Sequence, residues 1–296
     1  MEFMRSLMFV PGHRQRMIDK ALASAADVLF LDIEDGVPPA EKDTARQCIA
    51  ESLRNASSQP GGPHPLRFVR INAIGHERMR ADLDAVVTVG IEGLCLPKVE
   101  DAGQIELVDS LIEGYEASAG IRKGTIRYIA AIESARGIVN GPAVAAASPR
   151  LVGLMFGAED FAKDLGLPTQ RVQEASELIY ARSALVMAAA SAHIGAIDGV
   201  WPDIRDPEGL LRDARQARRL GFTGKSLIHP GQIETVNGVF CPDEGEVDYA
   251  RQVVTAFEEA VARGDGSIAI GGQLVDLPIV ERARRVLWMN EQLAGS

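Results

Sequence analysis

The sequence predicts a TIM (β/α)8 barrel with a C-terminal helical extension, and three observations predict it. Six β-rich apolar runs recur in the first part of the chain, at 6–12, 28–35, 67–72, 93–99, 126–134 and 151–160. Stretches of helical length and pattern separate them, which is the alternation a parallel sheet with crossover helices requires. Each run ends at or beside a residue that can do chemistry: Arg14, then Asp32, Glu34 and Asp35, then Arg70, Lys98, Glu133 and Asp160. In a parallel barrel all strand C-termini open on one face, so these side chains converge on one bowl.

The elements follow in order. Behind the first run, HRQRMIDKALAS (13–24) places Met17, Ala21 and Leu22 on one helical face. Behind the second, Pro38-Pro39 begin a turn and 40–53 is amphipathic. The Gly/Pro/Ser-rich segment 55–65 reads as a surface loop. Helices are expected over 79–88, 103–118, 140–148 and 171–192, with Pro142 in the first turn of the third, where its missing N–H does no harm. A seventh strand is expected within 196–204. The helix over 206–221 has Asp206 as its N-cap and Gly221 just past its end. A short strand within 224–232 is the eighth and completes a barrel domain over 1–235. The remainder, 236–296, holds a helix over 243–264 and a hairpin-like piece leading into another helix over 267–292. It is expected to pack on its own barrel or to reach a neighbouring subunit.

At 296 residues the chain accommodates one barrel of about 250 residues and a tail. Its 46% hydrophobic content supplies a sizeable core. A net charge of −10 argues against nucleic acid as a partner, since phosphate backbones demand a basic surface. An acidic small molecule is still admissible, because a few arginines can draw an anion into one pocket. Cys48, Cys95 and Cys241 are widely spaced, with no CxxC, and suit packing in a reducing cytoplasm rather than disulfides or zinc. The N-terminal MEFMRSLMFVPG lacks the apolar region and cleavage site of a signal peptide. No run reaches the roughly 18 apolar residues of a membrane span. The expectation is a soluble, cytoplasmic protein with no membrane partner.

Glu133 and Asp160 lead the chemistry. They lie 27 residues apart, at the ends of consecutive predicted strands. Neighbouring strand ends are about 5 Å apart, so two carboxylates there can share a cation. Two carboxylates completed by water or substrate oxygens is the usual arrangement for Mg²⁺. The five histidines are scattered and form no zinc motif. The competing structural role for the two acids is to pair with buried arginines at the barrel top. Arg70, at the end of FVRIN, can fork onto a carboxylate bidentately, or neutralise the Asp32/Glu34/Asp35 cluster, or do both. Alternation points Asp32 and Glu34 the same way, so one of them should face the bowl. Glu34 and Asp35 are candidate catalytic acids. Lys98 is either a site residue or a solvated rim charge. Arg14 and Arg16, beside a turn that opens a helix, and Lys225 and His229, around the last strand, are candidate anion contacts. Neither segment matches a nucleotide-binding fingerprint.

Taken together, RSLMFVPGHRQRM, DVLFLDIEDGVPPAEKDTAR, FVRIN, LPKVE, AAIESARG, FGAEDFAKDLG, AIDGVWPDIRD, GKSLIHPGQI and LVDLPIVERAR resemble, in this order and over nearly the whole chain, the citrate lyase β-subunit-like branch of the HpcH/HpaI aldolase superfamily. That branch includes malyl-CoA and citramalyl-CoA lyases. The resemblance implies Mg²⁺ dependence (Mn²⁺ being a possible substitute), a homotrimer or hexamer, and cleavage of a malyl-, citramalyl- or citryl-CoA type thioester. It makes Glu133 and Asp160 the metal ligands and Arg70 the holder of the substrate carboxylate. It makes Asp276, in LVDLP, an acid/base acting in the neighbouring subunit's site, which would explain the tail. Arg14, Arg16, Lys225 and His229 would then touch coenzyme A. Trp201-Pro202, and Ile33 where Leu-Glu-Asp is common, depart from the family's pattern.

The chemistry implied is a retro-Claisen cleavage to acetyl- or propionyl-CoA and a 2-keto acid such as pyruvate, glyoxylate or oxaloacetate. A thioesterase acting on the same malyl-type substrate is one alternative. Another is the β subunit of a citrate lyase complex, working with α and γ subunits on an acyl-carrier-protein thioester. A non-catalytic barrel is the reading from a different class, and nothing in a scaffold calls for Arg70, Glu133 and Asp160 together.

Overall fold

The computed structural model describes residues 4–57, 65–168, 175–264 and 267–294. The chain forms two compact units, Met1–Gly238 and Val239–Ser296.

The first unit is a closed barrel of eight parallel strands, each paired with its neighbours in sequence order and the last with the first. They are β1 (Ser6–Pro11), β2 (Val28–Asp32), β3 (Leu66–Arg70), β4 (Gly93–Leu96), β5 (Arg127–Ile132), β6 (Leu151–Phe156), β7 (Gly195–Asp198) and β8 (Gly224–Leu227). The strands are apolar on both faces because the interior packs on itself and the exterior packs under helices. Inward side chains form one cluster that includes Leu7, Val28, Phe30, Phe68, Cys95, Ile129, Ala131, Met155 and Ile197. Phe9 and Phe30 meet with ring centroids 4.9 Å apart, and Phe30 meets Phe68 edge-on at 6.4 Å. Each such ring contributes about 1.5–3 kcal/mol by leaving water.

That core decides where the site residues point. Side chains alternate with a period of two, so the inward series Val28, Phe30 continues to Asp32, Phe68 to Arg70, and Ile129, Ala131 to Glu133. These three polar residues therefore cap the packed interior on the C-terminal face of the barrel.

Helices fill the crossovers largely where the patterning places them. The helix Pro207–Leu220 begins with Asp206 accepting the Gly209 amide (2.8 Å) and ends with Gly221 at φ +104°, a left-handed cap that glycine adopts without steric penalty. The helix Ala102–Ser118 starts with a capping box between Asp101 and Gln104.

Several boundaries differ from expectation. The helix Lys42–Ser57 runs through the first residues of the proposed 55–65 loop, of which 58–64 lie outside the described residues. The single helix expected over 140–148 is two short ones, Ala135–Val139 and Gly141–Ala145; the first starts early because Ser134 accepts the Gly137 amide (3.1 Å). The sixth apolar run does not stay extended to 160: β6 stops at Phe156 and a helix, Ala158–Asp164, follows at once. β7 likewise stops at Asp198. The helix expected from 171 is described from a 3-10 turn at Ser176–Leu178 into Ile179–Ser191, with 171–174 outside the described residues.

The second unit has its own core. The helix Glu244–Ala262, opened by a capping box between Asp243 and Glu246, packs against the helix Leu277–Ala294. Between them lies an antiparallel hairpin of β9 (Ile268–Ile270) and β10 (Gln273–Val275). Val253, Phe257, Val275 and Val280 are buried together. No described helix is long and apolar enough to cross a membrane.

Candidate active site

Arg70 is clamped at the end of β3. Its Nε donates to Asp32 Oδ1 at 2.8 Å and its Nη2 to Oδ2 at 2.6 Å, a two-point fork between adjacent strand ends. Asp32 is itself held by the amides of Glu34 (2.8 Å) and Gly36 (2.9 Å), which fold the chain around it just beyond β2. The third guanidinium nitrogen, Nη1, lies 3.3 Å from Glu34 Oε2, and the guanidinium carbon sits 4.6 Å above the Phe9 ring. Burial alone would lower the proton affinity of Arg70, but Asp32 and Glu34 outweigh it and leave the cation permanently charged.

Glu133, the residue after β5, is 7% exposed and accepts no hydrogen bond or ion pair among the described residues. Burial pushes its carboxyl up to about 8; Arg70 opposes that shift, while Glu34 and Asp160 reinforce it. Asp160 lies in the first turn of the helix Ala158–Asp164, not at a strand end, and its only ion-pair partner among the described residues is the exposed Lys163 at 3.8 Å. Arg70, Glu133 and Asp160 line one cavity of about 120 Å³, whose other walls include Phe9, Met155, Phe156, Val200 and Ser226.

This donor set fits a divalent cation. A buried carboxylate without a partner, facing a second carboxylate across a small cavity, is costly until a cation arrives. No group of three or more potential metal ligands occurs among the described residues, so the remaining positions would be taken by water or substrate oxygens. Gly157 adds to the fit: a Cβ there would lie 2.3 Å from Glu133 Cγ, so the glycine provides the room in which the carboxylate rests.

The acidic candidates after β2 do not join this cavity. Glu34 and Asp35 line a separate groove with Lys42, Asn72, Arg78 and Lys98. Lys98 Nζ donates to Glu34 Oε1 and to Asp35 Oδ2 (2.8 Å), and Lys42 Nζ donates to the carbonyls of Ile33 (2.5 Å) and Glu34 (2.6 Å). Glu34 and Asp35, expected as catalytic acids, are thus both ion-paired with Lys98 here. β2 has already ended at Asp32 and the chain is turning, so strand alternation does not set where these two side chains point.

Lys225 also needs correction. It is 1% exposed, and its ammonium is surrounded by Asp213 Oδ2 (2.5 Å), Asp198 Oδ2 (2.6 Å) and the Gly199 carbonyl (2.6 Å). Arg182 closes the network onto Asp198, with Nε on Oδ1 (3.0 Å) and Nη2 on Oδ2 (2.9 Å), and approaches Asp213 at 3.2 Å. All three donors of Lys225 are used, so it has none for coenzyme A. The period of two carries the signal: Ser226 lines the cavity, so its neighbour Lys225 must face the helices.

Arg14 and Arg16 are exposed at the start of the helix Gln15–Leu22, and Arg14 Nε donates to His13 Nε2 (2.9 Å). His229 is exposed, and its Nδ1 accepts the Gly231 amide (3.0 Å) as the cap of a 3-10 turn. Asp276 belongs to the second unit, between β10 and the helix Leu277–Ala294. It is half-buried, its carbonyl accepts the amides of Ile279 and Val280 (both 3.1 Å), and the exposed Leu274 and Leu277 lie close to it in sequence. Sequence reasoning missed Phe9, which carries the guanidinium of Arg70, and Gly157, which makes room for Glu133.

Comparison with known proteins adds to this geometry. Residues 5–230 match the family model described as HpcH/HpaI aldolase/citrate lyase. The chain is 42% identical to the citrate lyase subunit beta of Leuconostoc mesenteroides subsp. cremoris, over 96% of this chain and 92% of that one. It is 35% identical to the (3S)-malyl-CoA thioesterase of Cereibacter sphaeroides strain KD131, over 98% and 96%. Among solved structures, protein CitE from Mycobacterium tuberculosis in complex with magnesium, acetoacetate and coenzyme A superposes with a TM-score of 0.78 at 33% identity, covering 97% of this chain and 98% of that chain.

Proposed function

The chain belongs to the HpcH/HpaI aldolase/citrate lyase family, and from that premise we propose that it is a Mg²⁺-dependent carbon–carbon lyase. Its substrate is a 3-hydroxy-3-carboxyacyl-CoA thioester of the malyl, citramalyl or citryl type. The products are acetyl- or propionyl-CoA and a 2-keto acid. The observation that carries this reading is the convergence of the Arg70 guanidinium with the Glu133 and Asp160 carboxylates on one small, largely apolar cavity.

Glu133 and Asp160 would hold the metal, which when bound supplies Lewis-acid polarisation of the substrate's hydroxyl and carboxylate oxygens. Arg70 binds the substrate carboxylate. Its orientation is set beforehand by the Asp32 fork, so little reorganisation remains when charge develops. Phe9, Met155, Phe156 and Val200 keep water from that charge. In the cleavage, the hydroxyl proton leaves to a base and the O–H electrons form the keto C=O. The adjacent C–C bond breaks, and its electrons become the thioester enolate. Protonation of that carbon gives the acyl-CoA product, a step we assign, by family likeness, to Asp276 of a neighbouring copy in a trimer or hexamer.

Product analysis tests the reading. The purified protein, Mg²⁺ and a panel of malyl-, methylmalyl-, citramalyl- and citryl-CoA should yield a keto acid and a shorter acyl-CoA, in a reaction abolished by EDTA. Free CoA without C–C cleavage would replace the lyase with a thioesterase, the activity of the Cereibacter relative. Turnover only of a carrier-protein thioester would make the chain a citrate lyase β subunit, as its Leuconostoc relative is.

A further inference from the structure

Lys98 stands at the mouth of β4 with φ +54°, one of three residues other than glycine among those described with a positive φ. A side chain with a Cβ resists this left-handed region, so the conformation persists only where surrounding contacts impose it. Around it, the Val99 amide donates to the Ala131 carbonyl (3.0 Å), and the Lys98 ammonium donates to Glu34 Oε1 and to Asp35 Oδ2 (2.8 Å).

Glu34 is the point of competition. It is 5% exposed and faces two cations, Lys98 on Oε1 and Arg70 on Oε2, and Oε2 also accepts the Asp35 amide (2.9 Å). The Lys98 contact is a full hydrogen bond, whereas Arg70 Nη1 stands off at 3.3 Å, beyond the usual span of a charge-assisted pair. Nε of Arg70 has spent its one N–H on Asp32 and Nη2 one of its two, whereas neither N–H of Nη1 is in a close hydrogen bond. Nη1 is therefore the nitrogen with capacity to spare, on a residue that lines the cavity with Glu133 and Asp160.

We propose that Lys98 is a positioning residue for Arg70: it draws Glu34 away from the guanidinium, so that Nη1 remains available to the carboxylate of the substrate or of the 2-keto acid product. The identity of that ligand rests on the lyase reading above. Charge supports the assignment as well as geometry. Asp32 and Glu34 pair with Arg70 and the charge of Asp35 lies near it, while Lys42 spends its hydrogen bonds on the backbone carbonyls of Ile33 and Glu34. With Lys98 absent, Glu34 would close onto Arg70, and three carboxylates would repel an incoming fourth.

The test is binding of pyruvate, glyoxylate and oxaloacetate to the full-length protein, measured calorimetrically with and without Mg²⁺, for wild type and for Lys98→Met, Lys98→Arg and Lys98→Gly. Lys98→Met should weaken Mg²⁺-dependent keto acid binding at least about tenfold, while Mg²⁺ binding itself stays within about twofold; Lys98→Arg should restore most of the loss. Lys98→Gly suits the left-handed backbone, so it should melt above Lys98→Met yet bind the keto acids as weakly, which separates positioning from folding. A crystal structure of Lys98→Met should show Arg70 Nη1 and Glu34 drawn together to about 2.9 Å. Keto acid binding by Lys98→Met within about twofold of wild type, or an unmoved Glu34, would overturn the inference and leave the lyase reading standing. A wild-type protein that binds none of the three keto acids at saturating Mg²⁺ would sink both.

Discussion

Gly157 lies against Glu133 so closely that a Cβ on the glycine would come within 2.3 Å of Glu133 Cγ and 2.9 Å of its carboxyl carbon. The residue after β6 thus forms the seat for the carboxylate after β5. A buried acid with no hydrogen-bond partner is oriented here by shape.

Gly157→Ala should therefore displace Glu133 and weaken Mg²⁺ binding by about tenfold or more. The cost in folding should be modest, since overpacking one methyl costs about 1–3 kcal/mol. Calorimetric titration with Mg²⁺, beside a thermal melt, checks it. Wild-type affinity in a folded variant would remove Glu133 from the metal site.

The raised proton affinity of Glu133 makes metal-free stability depend on pH in a stated direction. A carboxyl whose folded value is about 8, against an ordinary value near 4.5, binds more protons folded than unfolded between those limits. Its contribution is fully present below about 4.5 and is lost as pH rises toward 8, the loss reaching roughly 3 kcal/mol by pH 7. Glu133→Gln should accordingly melt above wild type at pH 8 without metal, and the gap should shrink toward pH 5. Mg²⁺ should raise the melting temperature of the wild type only, and the variant should have no lyase activity. A gap that does not change with pH would contradict this account of the burial of Glu133.

Lys225→Met separates a structural cation from a ligand contact. Removing one cation from the Arg182–Asp198–Asp213–Lys225 network leaves buried carboxylate charge uncompensated, at a cost of about 3–5 kcal/mol. Thermal unfolding should register that loss, while KM for the CoA thioester stays at its wild-type value in the protein that remains folded. A raised KM with unchanged stability would return Lys225 to the coenzyme A site.

For Arg14 and Arg16 the expectation is the reverse. Both are exposed beside the mouth of β1, so Arg14→Glu and Arg16→Glu should leave stability and Mg²⁺ binding unaltered. KM for the thioester should rise on the order of tenfold, and more at low ionic strength, because exposed charges are screened by salt. Unchanged KM in both variants would place coenzyme A elsewhere.

Acid sensitivity has a separate origin in Glu116, at the far end of the helix Ala102–Ser118. Burial would raise its carboxyl, but hydrogen bonds from Arg150 and from the amides of Ile126 and Gly124 outweigh burial and bring it down to about 2. A depressed carboxylate stabilises the fold above its ordinary value near 4.5 and loses that contribution as pH falls toward 2. Glu116→Gln should be less stable than wild type at pH 7, with the difference closing below pH 4.5. Denaturant titrations at pH 7, 4 and 3 would show it, and a constant difference would refute it.

Much of this architecture was legible beforehand, for a local reason. Strand alternation and helix periodicity depend on neighbours a few residues away, so six apolar runs, two further strands and the caps at Asp206 and Gly221 could be read directly. The same period of two takes Asp32, Arg70 and Glu133 inward above Phe30, Phe68 and Ala131. What failed lay where extended chain turns: beyond Asp32, beyond Phe156 and beyond Asp198 the alternation stops, and with it any local rule for the direction of a side chain.

By itself, then, the sequence determined the barrel, the family resemblance and the candidate set Arg70, Glu133 and Asp160, which line one cavity. Only the tertiary structure decided which charges are free to act. Lys225 is consumed by Asp198 and Asp213, and Glu34 is shared between Lys98 and Arg70, whereas Glu133 is left without a partner. Those outcomes are contests between residues 12 to 64 positions apart, in which burial raises the stakes of every pairing. Residue type and spacing state which groups can compete; only packing determines which of them meet.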